Sequence, residues 1–135
     1  GTPVVVVEAD AARADATRAA IVASVRRAAE RGQVADAAAT IGRLDVTHDR
    51  DELIGADLVI EAVPEIPELK RNVLAAVDRI IGPDAVLASN TSSISIDGLA
   101  ADLEGADRFL GMHFLNLVDE DHQSAPVLRA VLADS

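Results

Sequence analysis

The chain has 135 residues, half of them apolar, with a formal net charge of −11, no cysteine, and Phe109 and Phe114 as its two aromatics. That is one soluble globular domain with enough apolar side chain for a real core, and it excludes disulfides, cysteine-zinc sites and thiol catalysis. The acidic balance argues against nucleic acid as a partner, since phosphate binding needs clustered Lys and Arg.

The chain opens at Gly1 and runs at once into Val4-Val5-Val6-Val7, a continuous β-branched run of the kind buried on both faces in a parallel sheet. It ends at Glu8-Ala9-Asp10. Residues 11–31 turn to Ala, Arg and Glu with Ile21, Val25 and Ala28 at helical spacing, and Gly32 is placed to stop that helix. Residues 34–41 are a second helical piece closed by Gly42, and residues 44–47 read as a short edge strand before the polar turn holding His48, which reads as solvent-exposed. Leu58-Val59-Ile60 is another buried-type strand, ending at Glu61-Ala62-Val63-Pro64-Glu65. The helix after it is the clearest in the chain, with Leu69, Val73, Ala76, Val77 and Ile80 on one face and Lys70, Arg71, Asp78 and Arg79 mostly on the other. After Gly82-Pro83-Asp84, a strand over residues 85–88 leads into Ser89-Asn90-Thr91-Ser92-Ser93 and a helical pattern over residues 94–103. Residues 109–112 are a last short strand delivering His113. The contiguous acids Asp119-Glu120-Asp121 with His122 read as a solvated loop rather than a metal site, and residues 127–132 fit either a strand or a helix. No apolar run approaches the roughly 20 residues of a membrane helix, and no signal peptide is visible, so the expected location is cytoplasmic, with no membrane partner.

Strands separated by helices predict a parallel α/β sheet. Each buried-type strand ends in polar groups: Glu8, then Glu61 with Glu65, then Asn90 to Ser92, then His113. Parallel strands point one way, so these groups are expected to share one edge of the sheet, where α/β folds bind ligands. Glu8 after a strand is where a dinucleotide fold places the acid that takes the adenosine ribose hydroxyls, and it would favour NAD over NADP by repelling a 2′-phosphate. The other reading of Glu8 is a helix-capping or solvated acid. Glu61 suits the orientation of backbone N–H groups after its strand, whereas Glu65 lies in a Pro-bounded turn facing the cleft. Two carboxylates are too few for a hard cation, so no metal is expected. His113 is the best candidate for proton transfer, because an imidazole with its ordinary pKa of about 6.5 works as base or acid near neutrality.

Taken in order, Val59-Ile60-Glu61-Ala62-Val63-Pro64-Glu65 with Glu68-Leu69-Lys70, then Ala88-Ser89-Asn90-Thr91-Ser92-Ser93, then Gly111-Met112-His113-Phe114-Leu115-Asn116 resemble the L-3-hydroxyacyl-CoA dehydrogenase family, from about Gly1 to Leu117. The resemblance implies a Rossmann-like doubly wound parallel sheet that lacks the family's first strand and Gly-rich turn. Residues 1–135 would then be a partial NAD-binding domain, with the helical C-terminal domain absent and a homo-oligomer possible only where that domain is present. It implies NAD as cofactor and an acyl-CoA as substrate. His113 would be the catalytic base and Ser92 would hydrogen-bond the substrate oxygen. Glu8, Glu65, Lys70, Ser92 and Asn116 would contact the cofactor, and Lys70 would also reach the CoA phosphates. The family's His-Phe-Phe-Asn-Pro stands here as His113-Phe114-Leu115-Asn116-Leu117. The position twelve residues after the histidine, where the family has a carboxylate, is Ala125, or Arg129 if the alignment slides past a four-residue insertion. The isolated chain is therefore expected to be inactive; the alternative is a degenerate, non-catalytic binding or assembly module.

Overall fold

The computed structural model describes residues 1–118 and 124–132, and side chains as far as residue 114. The chain divides into two units, Gly1–Glu52 and Leu53–Ser135, and its described strands form a two-stranded sheet and a four-stranded sheet.

In the first unit β1 (Val4–Val7) lies parallel to β2 (Leu44–Thr47), with Val4 opposite Leu44 and Val7 opposite Thr47. Between them run α1 (Ala11–Glu30) and α2 (Ala37–Ile41). Asp10 caps α1 by accepting the Arg13 N–H at 2.8 Å, and Asp36 caps α2 through the Ala39 N–H at 2.9 Å, each satisfying a donor that the first turn leaves unpaired. The Asp36 cap sets the start of α2 three residues later than apolar spacing alone predicts. Gly32 takes a φ of +72°, the left-handed conformation that lets the Gln33 N–H close back on the Ala28 carbonyl and end α1. One expectation fails here. β1 is not buried on both faces, since Val4 is 51% and Val5 36% exposed.

In the second unit β3 (Leu58–Glu61), β4 (Val86–Asn90), β5 (Phe109–Val118) and β6 (Ser124–Leu132) form a sheet in that order. The first three are mutually parallel and β6 is antiparallel to β5. Five residues are too short a connection for a parallel crossover, which takes a dozen or more, so β6 returns antiparallel, and its ladder with β5 makes residues 127–132 a strand. β5 is also much longer than predicted. Its pairing with β4 stops at Met112, so His113 is the first residue past the parallel ladder while remaining inside a strand.

α3 (Pro67–Asp78) starts with Pro67 in its first turn, where a missing N–H costs nothing. Its buried face consists of Lys70, Leu74, Val77 and Asp78, a stripe rotated from the predicted one, and this corrects the placement of Lys70 and Asp78 on the solvent side. Leu74 and Val77 join Val59, Leu87, Leu99 and Phe109 in the core. Burying each large aliphatic side chain there stabilises the fold by about 1.5–3 kcal/mol. α4 (Ile96–Ala100) is shorter than the predicted 94–103, because Ser95 caps it by accepting the Gly98 N–H. β3 alternates rather than being buried throughout. Leu58 and Ile60 stay exposed while Val59 and Glu61 turn inward, which is the period-two geometry of a half-covered strand.

Candidate active site

The parallel register assembles the site. Glu61 at the end of β3 lies beside Ser89, and Asn90 at the end of β4 lies beside Met112. The polar residues that follow each strand therefore meet at the carboxyl edge of the unit. A cleft of about 230 Å³ opens there, with Thr91, Ser92 and His113 giving its polar wall and Ile94, Ile96 and Met112 its apolar one.

Ser92 Oγ and His113 Nε2 are 3.0 Å apart, within hydrogen-bond distance. The Ser92 side is exposed and the histidine half-buried, so both can meet a bound molecule. A hydroxyl paired with an imidazole can hand on or hold a proton at an oxygen bound between them. Among the described residues no carboxylate is hydrogen-bonded to the His113 ring. In the antiparallel β5–β6 ladder the residue opposite His113 is Arg129, and Ala125 is opposite Leu117. Of the two candidates for the family's carboxylate position, register therefore puts Arg129 across from the histidine.

Glu65 Oε1 accepts the Thr91 hydroxyl, the Ser92 N–H at 3.1 Å, the Ser93 N–H at 3.2 Å and the Ser93 hydroxyl at 3.1 Å. The Thr91 hydroxyl does most to hold this carboxyl at about 2 instead of 4.5; the two Ser N–H groups and the Ser93 hydroxyl add to it, and partial desolvation opposes them. Donors to the charged form lower a carboxyl pKa in this way. Glu65 Oε2 lies 3.4 Å from Lys70 Nζ.

Lys70 is fully buried. Its amine donates to both Glu61 oxygens, at 3.0 and 3.1 Å, to the Val63 carbonyl at 3.1 Å and to the Asn90 carbonyl at 3.0 Å. Glu61 in turn accepts the Ser89 hydroxyl and, at 2.6 Å, the Val63 N–H, the backbone-orienting part its position suggests. Lys70, expected from the resemblance to contact the cofactor and the CoA phosphates, has its amine inside the protein in this structure. The ammonium's donors are engaged there by carboxylate and carbonyl oxygens.

Glu8, in the first unit, stands at the end of β1 and accepts the Thr17 hydroxyl at 2.8 Å; Asp10, not Glu8, caps α1. Asn116 lies in β5 with Pro126 as its register partner, and its side chain, like the loop of Asp119, Glu120, Asp121 and His122, lies outside the described residues. Among the described residues no group of three or more His, Asp or Glu is arranged to hold a metal ion, and no helix is long and apolar enough to cross a membrane. Sequence reasoning placed Thr91 at the site edge within the Asn90 to Ser92 strand end and gave Ser89 and Ser93 no individual role. The signal for Ser89 was its place beside Glu61 once two strand ends are aligned in parallel.

These features define an α/β domain that carries a Ser–His pair at the carboxyl edge of its parallel strands. The family described as 3-hydroxyacyl-CoA dehydrogenase, NAD binding domain, matches residues 1–120, and the chain belongs to that family. It is 43% identical over 121 residues to a 3-hydroxybutyryl-CoA dehydrogenase of Mycobacterium tuberculosis, covering 87% of this chain and 42% of the relative. It is 35% identical over 122 residues to the fatty acid oxidation complex subunit alpha of Colwellia psychrerythraea, covering 89% of this chain and 17% of that one. Among solved structures it is similar to FadB2 of M. tuberculosis, with a TM-score of 0.81 at 43% identity over 86% of this chain and 42% of that one. The chain thus spans well under half the length of the relatives it matches.

Proposed function

We propose that this chain is the cofactor-side part of an enzyme that oxidises the 3-hydroxyl of an L-3-hydroxyacyl-CoA with NAD. The observation that carries the reading is the 3.0 Å contact between Ser92 Oγ and His113 Nε2 on the wall of a half-apolar cleft at the strand ends. NAD is the cofactor of the family, and the residues present suit a nicotinamide. Ile94, Ile96 and Met112 offer an apolar wall for a flat ring, and Ser92 and His113 offer polar groups beside it. When bound, the nicotinamide supplies the hydride acceptor.

The chain's own residues do the rest. His113 takes the proton of the substrate hydroxyl at Nε2, the nitrogen that faces Ser92. Ser92 Oγ hydrogen-bonds the same oxygen as alkoxide character develops, where a fixed donor is most useful. Glu8 is assigned to the adenosine ribose, Glu65 and Asn116 to the nicotinamide side, and Lys70 to the support of Glu65 from below. Proton transfer by a positioned side chain contributes about 10²–10⁴-fold.

The test uses the protein that carries this domain, assayed with NAD and 3-hydroxybutyryl-CoA. NADH fluorescence should titrate to saturation, and His113→Ala should lower kcat by roughly 10²–10⁴-fold with NADH binding retained. Full turnover in His113→Ala would overturn the assignment. Register favours the second reading, a non-catalytic module, to this extent: the position across from His113 is Arg129 and not an acid that would stabilise an imidazolium. NADH binding without any turnover in the whole protein would select it.

A further inference from the structure

Glu61 is buried at the end of β3 and touches neither the cleft nor the Ser92–His113 pair, so the chemistry above gives it no part. Both of its oxygens hold Lys70 Nζ, and that amine then reaches the start of the loop that presents Ser92 and the carboxylate that gathers it. It donates to the carbonyl of Asn90, immediately before the 91–93 turn. It also lies against Glu65 Oε2, whose partner oxygen gathers Thr91, Ser92 and Ser93. We propose that Glu61 is a positioning residue for the Ser92–His113 pair, acting through Lys70 and Glu65.

The physical case is one of connectivity. A buried ammonium needs a counter-charge, and Glu61, whose side chain is 1% exposed, provides it from a rigid strand. Ser89 Oγ and the Val63 N–H fix the carboxylate from two further sides, so it has little freedom to follow the amine. Lys70 is thereby held at a point from which one amine tethers the end of β4 and the Glu65 side chain together. An apolar pair of the same volume would fill the space, and such replacements are often neutral for stability. It would hold neither Asn90 nor Glu65. Charge-assisted bonds are also the stronger class, which suits a support that must fix a backbone turn.

The inference deepens the dehydrogenase reading, because it takes Ser92 and His113 as the reacting pair. Its test reads the unliganded turn, so a failure of that reading would appear in NADH binding or turnover and leave the following readouts unmoved. Glu61→Gln alone leaves a buried ammonium without its counter-charge and can fail to fold. The decisive variant is therefore Glu61→Gln with Lys70→Met, which removes both buried charges. The Glu65 carboxyl is titrated by 13C NMR and the Ser92 and Ser93 amides are followed by hydrogen exchange.

The expected result in the double variant is a Glu65 midpoint that rises from about 2 toward 4.5, with exchange of both amides faster by about 10-fold or more as the turn opens locally. Ser89→Ala leaves every charge in place and removes one of the two donors on Glu61 Oε2; it should move both readouts the same way by less. It also decides the question if the double variant does not fold. A Glu65 midpoint that stays near 2 with amide exchange unchanged would overturn the proposal and reduce Glu61 to an interior ion pair.

Discussion

Ser92 Oγ stands 3.0 Å from His113 Nε2 although 21 residues separate them in sequence. The distance follows from two strands laid parallel with Asn90 beside Met112, since one strand continues directly into His113 and the other reaches Ser92 two residues later. Removing the hydroxyl tests what the pairing does. Ser92→Ala should lower kcat in the complete protein by about 10²-fold, the cost of a lost donor at a developing oxyanion. KM for the acyl-CoA should change little, because the lost bond strengthens only as charge builds. Steady-state kinetics on the variant and its parent would show it, and an unchanged kcat would remove Ser92 from the mechanism.

The pH dependence of the turn comes from Glu65. Its folded pKa lies at about 2, below the ordinary 4.5, so its contribution is fully present above 4.5 and is lost as pH falls through about 2. The side chain is 38% exposed, and solvent screening keeps the global effect small. The local effect is expected to be clear. Between pH 5 and pH 2 the Ser92 and Ser93 amides should become progressively less protected, while core amides such as that of Leu87 hold out longer. Loss of protection in all of them together would deny Glu65 a specific hold on the turn.

Lys70 offers a sharp contrast between its two readings. As a surface lysine of an amphipathic helix, its replacement by Met would shift stability by within about 0.5 kcal/mol. As the buried partner of Glu61, its removal strands a carboxylate away from water, and Lys70→Met should cost about 3–5 kcal/mol. Urea unfolding of the chain separates these outcomes directly.

A second buried pair serves the fold and not the site. Asp78 accepts the Glu104 N–H at 2.8 Å, the Gly105 N–H at 3.2 Å and an Arg108 guanidinium nitrogen at 2.6 Å, tying the end of α3 to the approach to β5. Asp78→Ala should destabilise by about 3–5 kcal/mol, as expected for breaking a buried pair from one side. In variants still folded, NADH affinity should match the parent. A large loss of affinity at unchanged stability would mean that this clasp also shapes the cleft.

Much of the site could be read from the chain because its residues sit at strand ends, where periodicity fixes position well. Ser92, His113 and Glu65 come together as the motifs suggest. Lys70 was misplaced because helical spacing assigns a long charged residue to water, and only a counter-charge from a neighbouring strand can bring it in. Glu61 supplies that charge through the alternation of β3, which no count of apolar residues reveals. The burial of β1 was overestimated for a related reason. A run of valines records a tolerance for being covered on both faces, and in its unit Val4 stays half exposed. The direction of β6 was likewise beyond reach until residues 119–123 were known to be all that joins it to β5.

Glu65 already occupies the donors of the 91–93 turn with a carboxylate from its own chain. The loop therefore does not wait for a ligand to give it shape. Molecules entering the cleft meet a surface whose ordering entropy was spent at folding, so the free energy of their contacts is left for affinity and for aligning the reacting atoms.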